Sequence, residues 1–264
     1  MSTGALIFAF DGDICYTNIA IQCARRVKQH LGIPVTLVTD QVKTFAGFDN
    51  QILVDTPKHN SRRHWADYQS STVWKNSNRS SAFDLSPYNR TLLIDADYWI
   101  DSSALQPILD SPEPFLAHNT RRYINEPHSK VETFGTLKTP MWWATVCIFS
   151  KTEYTKDIFN TWKMIENNYD HYSKLFQFPR KPFRNDFALS LALLLCNAGQ
   201  QSTSAIPWPL LHLPDDCEPS FEALWQITYK VIKDNNINYK KVFVQNQDLH
   251  IMSKKTLERL SEIH

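Results

Sequence analysis

Thr91-Leu92-Leu93-Ile94-Asp95-Ala96-Asp97 is a short apolar run that ends in two carboxylates one residue apart. So uniform a run fits a strand covered on both faces, as in a parallel α/β sheet. The carboxyl end of such a strand is where open α/β sheets bind their ligands. Two acids there point the same way if the strand continues, and both converge on one hard cation if the chain turns. Magnesium or manganese is commonly held by one or two carboxylates, with water and a diphosphate completing the shell, so the junction suits a nucleotide substrate. A DxD triplet by itself is brief. The bland alternative is a solvated strand end, and Asp11 and Asp13 form a second such triplet.

The flanking sequence supplies the sheet. Residues 5–10 are almost wholly apolar and read as a buried strand. Behind Asp11-Gly12-Asp13, residues 16–31 place Ile19, Ala20, Cys23, Ala24, Val27 and Leu31 at spacings of three and four, the stripe of an amphipathic helix. Gly32 ends it and Pro34 opens a strand over 35–39, which makes a right-handed β-α-β unit with parallel strands. Further strands are expected at 51–54, 115–118, 141–149, 241–245 and 249–252, and helices at 156–169 and 186–196, the last stopped by Asn197-Ala198-Gly199. Residues 56–78 lack apolar periodicity and read as a functional loop or short helix. Past Pro207 the chain reads as irregular, with short helices before the last strands. Trp142 and Trp143 are adjacent in a strand and so face opposite ways; one is expected in the core, the other against the sugar or acceptor.

Composition bounds the class. With 264 residues and 42% of them hydrophobic, the chain can bury one large α/β core. A net charge near +1 gives no global field toward nucleic acid or membrane, although Arg62, Arg63 and His64, or Arg180, Lys181 and Arg184, can form local basic patches. The five cysteines include no CxxC pair and are expected to be reduced core residues. No window reaches the roughly eighteen apolar residues of a transmembrane helix, and the expectation is a cytoplasmic protein.

Ser86-Pro87-Tyr88-Asn89-Arg90-Thr91-Leu92-Leu93-Ile94-Asp95-Ala96-Asp97-Tyr98 resembles the SPY-x-x-TL-x-LDADY block of nucleotide-sugar-dependent glycosyltransferases of the GT-A type, among them phage and bacterial ones. Thr72-Val73-Trp74-Lys75-Asn76 with Arg79 resembles the nucleotide-side loop of the same enzymes, and Arg184-Asn185-Asp186 resembles their RND-x-x-x-S block. The resemblance implies a GT-A fold, a mixed and mostly parallel sheet flanked by helices, in a single domain over 1–264. Residues 1–100 would form the nucleotide-sugar and metal half, and 101–264 the acceptor half with a C-terminal segment returning to the metal. It implies transfer from a nucleoside-diphosphate sugar, a UDP-sugar by preference, to an acceptor hydroxyl, with manganese or magnesium.

Site residues follow from that resemblance. Asp97 would be the stronger metal ligand, and Asp95 would touch the cation, its water or the ribose. His250 would be the third ligand, with Lys254 reaching the diphosphate. Phe10, Asp11 and Tyr16 would hold the base, Lys75 and Arg79 would counter phosphate charge, and Asp186 would act as general base or orient the sugar. Each has a bland counterpart: a surface His on a frayed tail, solvated charges at Lys75 and Arg79, and for Asp186 a helix cap. The Gly-x-x-Lys-Pro-Trp tail of one retaining family is missing, and residues 119–140 read as polar and irregular and match nothing. The acceptor, a glycan or hydroxymethylated DNA, stays open, as does inversion or retention, with retention favoured. Two rival readings remain: a haloacid-dehalogenase-like phosphatase with Asp11 as nucleophile and Asp13 as acid, in which Cys15 stands where Thr or Val is expected, and a non-catalytic nucleotide-sugar binder or nucleotidyltransferase, the latter disfavoured by a single glycine after the first strand.

Overall fold

The computed structural model describes residues 2–56, 61–65, 70–75, 77–179, 182–198, 204–213, 217–219, 226–233, 236–254 and 257; at 61–65, 70–74, 217–219, 226–227, 229–233 and 236–237 it describes the backbone alone. A six-stranded sheet runs Asn50–Leu53, Val35–Thr39, Thr3–Phe8, Arg90–Asp95, Trp143–Ser150, Phe115–His118. The first four strands are mutually parallel. Trp143–Ser150 runs against both its neighbours, so Phe115–His118 regains the common direction. The result is the mixed, mostly parallel sheet flanked by helices that the sequence led us to expect.

Strand residues alternate between two cores. Ala5, Ile7, Leu92 and Ile94 pack with the helix Tyr16–Leu31 on one face. Leu6, Phe8, Leu93 and Phe149 pack on the other against the helices Glu153–Asn167 and Asn185–Cys196. Covering both faces is why Leu92, Leu93 and Ile94 follow one another without a polar residue between them. Tyr16–Leu31 forms over the predicted residues and stops at Gly32, whose φ of 64° is the left-handed conformation that glycine adopts without steric cost. Glu153–Asn167 starts earlier than predicted because the Thr152 hydroxyl accepts the Thr155 N–H at 3.2 Å, capping it.

A second sheet positions the site. Its order is Lys130–Val131, Thr120–Tyr123, Leu210–Leu213, Leu249–Ile251, Tyr98–Trp99. Strand Leu249–Ile251 lies antiparallel to Tyr98–Trp99, with His250 opposite Tyr98, one residue past Asp97. On its other side it lies parallel to Leu210–Leu213, with His212 in register with His250. The last strand thereby joins two distant parts of the chain at the end of Arg90–Asp95.

Three sequence expectations need correction. Among the described residues of 56–78 are two paired strands, Ser61–Trp65 and Ser70–Trp74, where a loop or short helix was expected, followed by a helical turn at Arg79–Ser81. Polar residues on both strands hid the period-two signal. The irregular 119–140 region contains short strands. The strand expected at 241–245 is Asn236–Phe243, paired with Gln226–Lys233 in a region read as helical; its Ile227, Thr228, Val231 and Ile232 are β-branched, a strand signal that was passed over. Cys15, Cys23, Cys147 and Cys196 are free thiols, of which Cys23 and Cys147 are in the core as expected while Cys196 is partly buried and Cys15 is exposed; burial pushes Cys147 up to about 12. The side chain of Cys217 lies outside the described residues. Among the described residues no helix is long and apolar enough to cross a membrane.

His118 gives the fold a pH dependence. Its ring is fully buried, Nδ1 lies 2.9 Å from the Trp208 carbonyl, and burial lowers the imidazole to about 4. An unfolded imidazole titrates near 6.5, so between pH 6.5 and 4 the unfolded chain binds a proton that the folded chain refuses. Stability from this group is full above pH 6.5 and falls as pH drops to 4, by about 3 kcal/mol. Urea denaturation of wild type and His118→Asn across this range should show a shallower acid loss in the variant.

Candidate active site

Asp95 closes its strand, and Ala96-Asp97 turns the chain into Tyr98–Trp99. One ligand atom from each of Asp95, Asp97 and His250 falls within 4.8 Å of the others. His250 Nε2 is 3.4 Å from Asp97 Oδ1, and the Lys254 ammonium pairs with Asp97 Oδ2. Arg79 is buried; one of its terminal nitrogens donates to Asp95 Oδ1 and the other to the Ala144 carbonyl at 2.6 Å. Two acids side by side are thus met by two fixed cations.

Those neighbours split the acids. Burial raises Asp95 to about 6, with Arg79 opposing and the charge of Asp97 adding to the rise. Burial pushes Asp97 the same way, but Lys254 and His250 outweigh it and hold that carboxyl well below the usual range. Asp97 is therefore the member whose charged form its neighbours favour. Two carboxylate oxygens and an imidazole nitrogen form a donor set suited to manganese or magnesium, and the residues present fit such an ion.

The three groups line a cavity of about 540 Å³. Its wall also includes Phe10, Tyr16, Lys75, Arg79, Asp186 and Lys254. Lys75 pairs with Asp40 at 3.2 Å, at the end of Val35–Thr39. Asp186 sits in the first turn of Asn185–Cys196, where its Oδ1 accepts the Ala144 N–H at 3.0 Å and its Oδ2 accepts from Arg184 at 2.5 Å. Each carboxylate oxygen has a second lone pair, so a substrate hydroxyl can still be accepted. Asp11 is the exception. It lies outside the cavity wall, and its two oxygens accept the Thr17 N–H and the Thr17 hydroxyl, both at 2.8 Å, which satisfies one of the free donors in the first turn of the first long helix. Arg180 and Lys181, and the side chains of Arg62, Arg63 and His64, lie outside the described residues.

No family model matches the sequence, and no curated protein matches it. Among the solved structures it is similar to are glycosyltransferases. One is the glycosyltransferase GlyE of Streptococcus pneumoniae TIGR4, with a TM-score of 0.45 and 10% identity over 78% of this chain and 46% of that one. Another is the galactosyltransferase LgtC in complex with donor and acceptor sugar analogues, with a TM-score of 0.43 and 13% identity over 71% of this chain and 70% of that one. The chain thus spans less than half of GlyE.

The tryptophan pair was anticipated in part, and Arg121, Glu166 and His212, in or behind the wall, were not. Trp142 and Trp143 do face opposite cores, yet both are buried, and it is Trp143 that lines the cavity. Arg121 donates to Glu132 at 2.6 Å and lies over the rings of Tyr123 and Trp143. Glu166 is buried and accepts from the Ser80 hydroxyl at 2.6 Å and the Asn78 N–H at 2.9 Å, which anchors the turn carrying Arg79. His212 is buried, with Nδ1 3.0 Å from Nδ1 of His250; burial first, then His250 and Arg121, hold it well below an ordinary imidazole. One polar residue inside Leu210-Leu211-His212-Leu213 was the available signal.

Gly135 shapes the same wall. With φ of +67°, it stands where an added Cβ would lie 2.1 Å from the Phe176 carbonyl oxygen. Neighbouring Thr133 and Phe134 line the cavity. Gly135→Ala is expected to cost about 2–4 kcal/mol, from left-handed strain together with overpacking against backbone. Chemical denaturation measures it; an unchanged midpoint would contradict the packing described.

Proposed function

We propose that this chain transfers a sugar from a nucleoside-diphosphate sugar, foremost a UDP-sugar, to an acceptor hydroxyl, using a divalent cation held by Asp95, Asp97 and His250. The observation that carries this is the cluster itself: three hard or borderline donors within 4.8 Å, on the wall of a cavity that Lys254 and Arg79 also line. When bound, the cation supplies Lewis-acid stabilisation of the departing diphosphate.

The chain's own residues do the rest. Lys254, held against Asp97, sets a positive charge beside the cation site and is available to pair with a diphosphate oxygen. Arg79 keeps the Asp95 carboxylate oriented, and Lys75 adds charge on the same wall. Phe10 and Tyr16 offer apolar ring surface to the base. Asp186, fixed by Ala144 and Arg184, accepts a hydroxyl of the donor sugar or of the acceptor. Tyr123, Trp143 and the Arg121–Glu132 pair combine aromatic faces with paired charge, a mixture that suits a saccharide acceptor. Free, buried Cys23 and Cys147 are consistent with a cytoplasmic setting.

The test is release of nucleoside diphosphate from a panel of sugar donors with manganese, magnesium or chelator. We expect release from a UDP-sugar with manganese and none with chelator. Release indifferent to chelator, or inorganic phosphate as the product, would refute the proposal.

A further inference from the structure

The structure assigns His212 a part in the cation site: its Nδ1 accepts a hydrogen bond from Nδ1–H of His250 and so presents the His250 Nε2 lone pair to the metal. This rests on the reading of Asp95, Asp97 and His250 as ligands. The two ring nitrogens are 3.0 Å apart. Imidazole nitrogens at that distance attract only if one carries a proton and the other a lone pair. His250 Nε2 is the atom on the Asp97 side, 3.4 Å from its carboxylate. A nitrogen that binds a cation must offer a lone pair, so the His250 proton belongs on Nδ1, and His212 Nδ1 must be its acceptor. Ligand histidines usually give that second N–H to a carboxylate, a backbone carbonyl or water. Here a second imidazole takes the role.

The fold leaves these rings little freedom. His212 and His250 are register partners on adjacent parallel strands, which places both side chains on one face of the second sheet. Their ring centroids are 4.8 Å apart. Trp143 packs edge-on against His212 at 5.3 Å and Tyr123 tilts against it at 5.7 Å, so His212 is wedged from two sides. Only 2% of it is exposed, so its own Nδ1 lone pair is not taken up by bulk water. Asp97, Arg121 and His118 are the other charged or titratable groups whose fields reach it. His212 acts through His250 and is a positioning residue.

Manganese binding, followed by electron paramagnetic resonance of the free ion in the presence of UDP, tests this apart from turnover. His212→Phe keeps the ring that Trp143 and Tyr123 pack on but removes the acceptor. His212→Asn places an amide oxygen near the Nδ1 position. We expect the Phe variant to bind manganese about 10- to 100-fold more weakly, as for lost outer-shell partners elsewhere, and the Asn variant to recover most of that loss. Equal affinity in wild type and Phe variant, or equal weakening in both variants, would show a packing role only and overturn the inference. Wild type that binds no manganese would instead overturn the proposed function. Should the Phe variant fail to fold, nitrogen NMR of the wild-type histidines with magnesium and UDP decides: a protonated His250 Nδ1 facing an unprotonated His212 Nδ1 is expected, and the reverse assignment refutes it.

Discussion

Asp97→Ala is expected to abolish the thermal stabilisation that manganese and UDP together give the wild-type chain. A ligand at a hundredfold excess over its dissociation constant stabilises the state it binds by about 2.7 kcal/mol, and the variant should gain almost none of it. Turnover should fall at least about a hundredfold, since a charge that stabilises the leaving group is lost with its ligand. The variant should also melt lower without metal. Lys254 is only 8% exposed and its ammonium pairs with Asp97, so removing the carboxylate leaves a buried charge alone at a cost of about 3 kcal/mol. A solvated acid at a strand end would produce none of these effects. Melting curves of both proteins, with and without manganese and UDP, separate the cases.

Arg79→Ala should be the other severe change. One guanidinium joins Asp95 to the Ala144 carbonyl, and the turn that carries it is anchored by Glu166. Without it, Asp95 loses the cation that opposes its burial, and the acid moves further above about 6 toward its protonated form. A protonated Asp95 is a poor ligand. Stability should drop by about 2–3 kcal/mol, the range for a lost hydrogen bond to a charged group, because part of Asp95 still faces the cavity. Manganese affinity should drop with it. Arg79→Lys should recover little, since an ammonium cannot reach two acceptors as a planar fork does. Denaturation and manganese titration of the three proteins check this, and an Arg79→Lys variant equal to wild type would contradict the arrangement.

Much of this was legible in the chain. Apolar runs at 5–10 and 91–94 and the stripe from Ile19 to Leu31 dictate the central sheet and its first helix, because doubly covered strands and one-sided helices leave strong patterns. The carboxylate pair at a strand's end marks the cavity before any geometry is known. What stayed hidden depends on long-range pairing. That Leu210–Leu213 and Leu249–Ile251 lie in register is a property of two segments far apart in sequence, so the contact of His212 with His250 could not be read from either. Glu166 looked like any helix acid, and only its burial against Ser80 and Asn78 gives it a task. Asp11 shows the converse: its place after the first strand suggests a ligand contact, and its bonds to the Thr17 N–H and hydroxyl, six residues on, appear only in the folded chain.

The central claim is that Asp95, Asp97 and His250 share one divalent cation. Crystals grown with manganese and UDP, with diffraction recorded at the manganese absorption edge, test it directly. The account predicts an anomalous peak within bonding distance of Asp95, Asp97 and His250 and of the UDP diphosphate. A peak elsewhere, or bound UDP with no manganese between those side chains, would contradict it.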